Sequence, residues 1–129
     1  MQTTEARLTD YADRAFPHYV ECALWSSMDQ SDGSGGKPMD DTYAYEDIAR
    51  ASRKAMREEL GQFVREAGEL LDDITPEMAG HDFWLTRNRH GAGFWDRGLG
   101  ATGERLSDMA HAYGPSDLYV GDDGRVYVS

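Results

Sequence analysis

Residues 81–98, HDFWLTRNRHGAGFWDRG, decide how the second half of the chain is read. The stretch holds two of the three tryptophans, two of the four phenylalanines, two of the four histidines and three arginines around a Gly-Ala-Gly centre. Phe83, Leu85 and Arg87 alternate with Trp84, Thr86 and Asn88, and a period of two in aromatic and β-favouring residues predicts a strand. Asn88 to Gly93 is turn material, since asparagine tolerates and glycine freely adopts left-handed backbone. Phe94, Trp95 and Asp96 resume an extended aromatic pattern. The expectation is a β-hairpin whose tip projects Arg89 and His90.

Downstream, Ala101 to Tyr113 (ATGERLSDMAHAY) predicts a helix burying Leu106, Met109, Ala110 and Tyr113, stopped by Gly114 and Pro115. Asp117 to Val128 (DLYVGDDGRVYV) predicts a second hairpin with Gly121-Asp122-Asp123-Gly124 as its turn. Upstream, Thr75 and Pro76 form an N-cap and first-turn proline, read as a single helical turn, PEMAG, leading into the first hairpin. Residues 75–129 are therefore expected as hairpin, helix, hairpin.

The N-terminal half reads as helical. Leu8, Tyr11, Ala12, Ala15 and Phe16 share a face of a first helix capped by Thr4, and Pro17 interrupts it. His18 to Met28 is a second short helix or a kinked continuation that buries Val20, Leu24, Trp25 and Met28. Residues 29–41 (DQSDGSGGKPMDD) are a flexible loop whose aspartates lack the calcium-loop spacing. From Thr42 or Tyr43 to about Asp73 a long helix carries the stripe Ser52, Met56, Leu60, Phe63, Ala67, Leu70 and Ile74. The fold class expected is α+β: a single domain in which residues 1–74 supply helices, one of them long and packed on a four-stranded antiparallel sheet.

Charge narrows function. The chain has 129 residues with 13 basic and 24 acidic, a formal net charge of −11. The acids are spread along its length, no segment is a basic arm, and direct binding to a phosphate backbone is disfavoured. An acidic surface serves solubility, or competes with nucleic acid for a basic partner. Asp72, Asp73, Asp122 and Asp123 are the candidate contacts for such a partner. Arg89, His90 and Trp95 are further candidates, because tryptophan and arginine dominate interface hot spots. The one cysteine, Cys22, has no internal disulfide partner, which points to a reducing, cytosolic compartment. His18 and Cys22 have helical metal-pair spacing, but no second pair accompanies them; no metal, cofactor or membrane span is expected. No nucleophile elbow, phosphate loop or paired-carboxylate pattern appears. An enzyme would have to rest on His90 as acid or base with Asp96 as its orienter and Arg87, Arg89 or Arg97 as an oxyanion clamp. A homomeric accessory protein is a third reading.

The run DFWLTRNRHGAGFWDRG from Asp82 to Gly98, followed by a helix and the closing LYVGDDGRVY from Leu118 to Tyr127, resembles a C-terminal module of small uncharacterised proteins of bacteriophages and mobile elements. The resemblance covers about the last fifty residues and brings no assigned catalytic residues. It implies a phage-type origin. Small acidic phage proteins without catalytic motifs resemble anti-CRISPR and anti-restriction factors, so it implies a non-enzymatic cytoplasmic inhibitor that blocks the nucleic-acid-binding surface of a host defence complex.

Overall fold

The computed structural model describes residues 4–29, 36–90 and 93–129. Helix α1 spans Thr4–Ser26, α2 Arg50–Ala67, α3 Pro76–Arg87 and α4 Ala101–Ala112. Strands β1 (Met28–Asp29) and β2 (Lys37–Pro38) form one antiparallel ribbon, and β3 (Leu118–Val120) and β4 (Val126–Val128) another. Short 3-10 turns lie at Met39–Asp41, Tyr45–Asp47, Gly68–Leu71 and Phe94–Asp96. The described residues thus make a mainly helical protein with two separate two-stranded ribbons, and the expected four-stranded sheet does not exist.

The correction centres on the opening stretch. Where a strand was expected, α3 runs through Phe83, Trp84, Leu85, Thr86 and Arg87, and Phe94–Asp96 is a 3-10 turn. The start signal at Thr75 and Pro76 is real: Thr75 Oγ1 accepts the Met78 N–H at 3.2 Å and Pro76 occupies the first turn. It opens twelve residues of helix, not one turn. Every residue from Asp82 to Arg87 is buried. A helix covered on all sides has no polar face and so leaves no 3.6-residue stripe, and its side chains can fall by chance into an alternating order.

What surrounds α3 is the rest of the protein. Gly80 lies against the α1 backbone, where a β-carbon would overlap the Ala15 carbonyl oxygen and meet the Tyr19 nitrogen at 3.0 Å. Ala12, Ala15 and Ala23 are buried with it, so the two helices cross at close range. Phe83 stacks on Phe63 of α2 with ring centroids 4.2 Å apart, on Tyr19 at 5.4 Å, and edge-on to Tyr113 at 5.2 Å. Phe94 stacks on Phe63 from the far side at 5.6 Å. Such ring pairs contribute about 0.5–1.5 kcal/mol each beyond the area they bury.

Other expected elements differ in their limits. α1 is continuous through Pro17, which is exposed. Val20 and Leu24 are buried as expected, but Trp25 and Met28 are exposed. The long helix begins at Arg50, not Thr42, because Ile48 is extended and bridges Val126 while the Ala49 N–H donates to the Val126 carbonyl at 2.8 Å. It ends at Ala67, where Gly68 takes a φ of 49°. Its stripe is oriented as read: Ser52, Met56, Leu60, Phe63, Ala67 and Ile74 are buried and Leu70 half-buried. In the loop expected over 29–41, residues 30–35 lie outside those described. The rest of it pairs with β1 and buries Met39. The second hairpin and α4 form where expected.

Gly80→Ala separates propensity from packing. Helix propensity alone favours Ala by about 1 kcal/mol, but the obstacle is backbone, so overpacking of about 3 kcal/mol should prevail. Gly61→Ala, whose β-carbon would meet only the guanidinium ends of two side chains, Arg57 Nη1 at 2.6 Å and Arg65 Nη1 at 3.4 Å, should be neutral to about 1 kcal/mol stabilising. Urea melts of both variants check the pair; equal effects would remove the close-crossing explanation.

Candidate functional site

Two buried charges hold the region that the sequence marked. Arg87, 3% exposed, projects from the last turn of α3. Its Nε donates to the Gly114 carbonyl at 2.9 Å and its Nη1 to Tyr19 Oη at 3.0 Å and Glu59 Oε1 at 2.8 Å. Its Nη2 reaches the Tyr113 carbonyl at 3.3 Å, and the guanidinium lies over the Phe83 and Tyr113 rings. Burial pushes the Tyr19 hydroxyl up to about 12, so it meets Arg87 as a neutral phenol. The expected oxyanion-clamp role of Arg87 therefore does not fit: its donors are spent joining α1, α2 and the end of α4.

Asp82 is the second, with no exposed surface. Arg97 grips it in a two-pronged pair, Nε to Oδ2 at 2.9 Å and Nη2 to Oδ1 at 2.8 Å. This ties the 3-10 turn Phe94–Asp96 to α3, helped by the Phe94 N–H donating to Thr86 Oγ1 at 3.2 Å. His81 Nδ1 lies 3.5 Å from Asp82 Oδ1, shut from solvent and without a hydrogen-bond partner, and the His81 ring is stacked under Trp25 at 6.2 Å. Burial, with the nearby Asp82 charge second, pushes the Cys22 thiol up to about 12, so it is no thiolate nucleophile near neutral pH.

Trp95 is 57% exposed and Trp25 56%, whereas Trp84 is buried and donates its indole N–H to Ser26 Oγ at 2.8 Å. Arg89 and His90 are exposed. They close α3 in a Schellman arrangement: the Arg89 N–H donates to Thr86 and the His90 N–H to Leu85, both at 3.0 Å. Arg89 has a φ of 56° at the position where glycine is usual. No hydrogen bond or ion pair joins His90 to Asp96 among the described residues, so the expected acid-base pair is not assembled. Gly91 and Ala92, within the expected turn, lie outside those described.

The four candidate aspartates do not form one patch. Asp72 and Asp73 follow the 3-10 turn after the C-terminus of α2, beside a cleft also lined by Arg7 and Arg14. They do not end the helix itself, whose last residue is Ala67. Asp122 and Asp123 sit in the β3–β4 turn, which docks at the other end of α2 through Ile48, Ala49 and Ser52. That helix alone is about 27 Å long. Asp123 is also engaged internally: Oδ2 accepts from Tyr127 Oη at 2.5 Å and Oδ1 from the Arg125 N–H at 3.0 Å.

A concave site lies elsewhere, between α1 and the segment Asp40–Tyr45. It is a groove of about 540 Å³ with a floor of Phe16, Pro17, Val20, Leu24, Tyr43 and Tyr45, closed at one point by Phe16 edge-on to Tyr45 at 6.1 Å. Three carboxylates rim it. Asp13 is held by Arg57 at 2.7 Å, while Glu21 and Asp40 are exposed and form no ion pair among the described residues. Sequence reading missed this site because part of its wall, Tyr43, Ala44 and Tyr45, was expected in the long helix. The available signal was that Phe16, Val20 and Leu24, spaced by four, make an apolar stripe along α1 that needed an occupant.

No protein-family model matches the chain, and no curated protein or solved structure is significantly similar to it. Among the described residues no helix is long and apolar enough to cross a membrane, and no group of three or more His, Cys, Asp or Glu side chains could hold a metal ion.

Two predictions follow from the ion pairs and the turn. Arg97→Ala leaves the Asp82 carboxylate buried without its cation and should cost about 3–5 kcal/mol. Asp82→Asn should cost less, since Arg97, with a partly exposed side chain, can turn to water; denaturant titration ranks the two. The Tyr127 hydroxyl, and after it the Arg125 N–H, hold Asp123 below the ordinary aspartate value. Its contribution is present above that ordinary value and is lost as pH falls through the folded one. In a carboxyl NMR titration, Tyr127→Phe should move the Asp123 midpoint upward; an unmoved midpoint would mean that the hydroxyl contributes nothing.

Proposed function

We propose that the protein is a non-enzymatic binding protein of the phage anti-defence kind, acting in the host cytoplasm on a basic, nucleic-acid-handling complex such as a CRISPR effector or a restriction enzyme. The observation that carries this reading is the groove between α1 and Asp40–Tyr45: an apolar floor with two rim carboxylates, Glu21 and Asp40, that form no ion pair among the described residues. That combination suits a segment with apolar side chains on one face and Lys or Arg at its edges. Apolar contacts supply affinity there, and the rim charges with the net −11 steer a cationic partner and exclude nucleic acid. The resemblance of residues 82–127 to a module of phage proteins supports the choice of a host defence complex as partner.

The test measures inhibition of purified CRISPR effectors and restriction nucleases, with affinity read in parallel. Glu21→Lys and Asp40→Lys, both at exposed positions, should together weaken binding at least about tenfold, equivalent to 1.4 kcal/mol. Wild-type binding should itself weaken as salt rises. Inhibition that survives this double variant but is abolished by Asp72→Lys, Asp73→Lys, Asp122→Lys and Asp123→Lys would discard the groove in favour of the dispersed acids. No inhibition of any such complex would discard the anti-defence reading.

A further inference from the structure

Among the described residues, three arginines gather in one cleft where they outnumber the acids. A cleft of about 670 Å³ between the start of α2 and the β3–β4 hairpin is lined by Arg50, Arg53 and Arg125, with Glu46, Asp123 and Tyr127. None of the three arginines forms an ion pair among the described residues, although acidic residues outnumber basic ones 24 to 13. The acids nearest them do not substitute for a ligand. Asp123 already accepts from Tyr127 and the Arg125 backbone, and Glu46 is bonded to none of the three.

Arg53 is the best-defined member. Its guanidinium carbon lies 4.8 Å over the Tyr45 ring, which orients the plane. Its Nε is closed off from solvent yet has no acceptor. An N–H in that state has lost water and gained nothing, and an anion in the cleft reaches it only when the side chain turns that edge outward. The start of α2 adds to the same field. Ala49 offers no side-chain cap, so the first N–H groups of an 18-residue helix, and the positive end of its dipole, remain beside the arginines.

We propose that this cleft binds the phosphate group of a phosphomonoester. Guanidinium groups take two oxygens of a tetrahedral dianion at once, and three of them with a helix start oppose a doubly charged group better than a single carboxylate. The site is distinct from the groove proposed for a protein partner, although the Tyr45 ring borders both, and phosphate binding is measurable with no partner present.

The experiment follows amide NMR shifts of the full chain during titration with inorganic phosphate and with glycerol 3-phosphate, at constant ionic strength, with sodium acetate and sodium chloride as controls. The expected result is a saturable shift confined to residues 46–53 and 121–127, with a dissociation constant in the millimolar range or tighter and at least about tenfold preference over acetate. Arg50→Gln and Arg125→Gln, both at exposed positions, should each weaken binding about tenfold, equivalent to 1.4 kcal/mol. Retained dispersion of the remaining amides would confirm that the variants are folded. Vesicles of phosphatidylcholine with and without phosphatidic acid separate the two sources of such a group. Cosedimentation that requires phosphatidic acid assigns a lipid headgroup, and binding of glycerol 3-phosphate without cosedimentation assigns a soluble ester. Shifts that do not saturate, that chloride reproduces, or that persist undiminished in the Arg50→Gln/Arg125→Gln double variant would overturn the proposal.

Discussion

The absence of a side chain at Gly80 allows α3 to lie directly on the backbone of α1, and most of the structure depends on that contact. With the two axes so close, Tyr19 reaches across to stack on Phe83 and meet Trp84, and the indole of Trp84 finds Ser26 near the end of α1. α2 covers the other side of Phe83 through Phe63, and Phe94 completes the stack. A wider crossing would leave the rings short of contact, because dispersion is lost steeply with separation.

Enclosing α3 also encloses its polar residues, which had to be satisfied inside. Arg87 and Asp82 are five residues apart and are compensated in different ways. Arg87 is surrounded by a phenol, a carboxylate, two carbonyls and two rings drawn from three regions of the chain. Asp82 relies mainly on Arg97, only fifteen residues on. Buried pairs of this kind add little net stability over an apolar core, but they are costly to break. Their effect is to fix one arrangement: the Arg97 clamp sets the turn that leaves Trp95 facing outward, and Arg87 anchors the segment between α4 and β3.

The surface divides by charge in a way that the total of −11 conceals. Carboxylates rim an apolar groove on the outer side of α1, and arginines gather where β3–β4 meets α2. Tyr45 stands between them, edge-on to Phe16 in the groove and beneath Arg53 at the cleft. The acid pairs that looked prominent along the chain are separated by the length of a helix, and one member, Asp123, is occupied in its own turn.

Features set by neighbours in sequence were legible without a structure. The Thr75-Pro76 helix start, the buried stripe of α2, the extent of α4 and the Gly121–Gly124 hairpin all follow from local capping, periodicity and turn chemistry, and each forms. Arg89 and His90 are exposed, as their expected place at a projecting tip required, although that tip closes a helix and not a hairpin. The conformation of Asp82–Arg87, the burial of Arg87 and Trp84 against the exposure of Trp25, and the groove and arginine cleft were decided by tertiary structure alone. The reason is physical. Periodicity reports secondary structure only when one face meets water and the other does not, and α3 has no wet face from Asp82 to Arg87. Whether an arginine becomes a core hub or a surface ligand depends on partners such as Tyr19 and Tyr113, 68 and 26 residues away, and no local pattern records them.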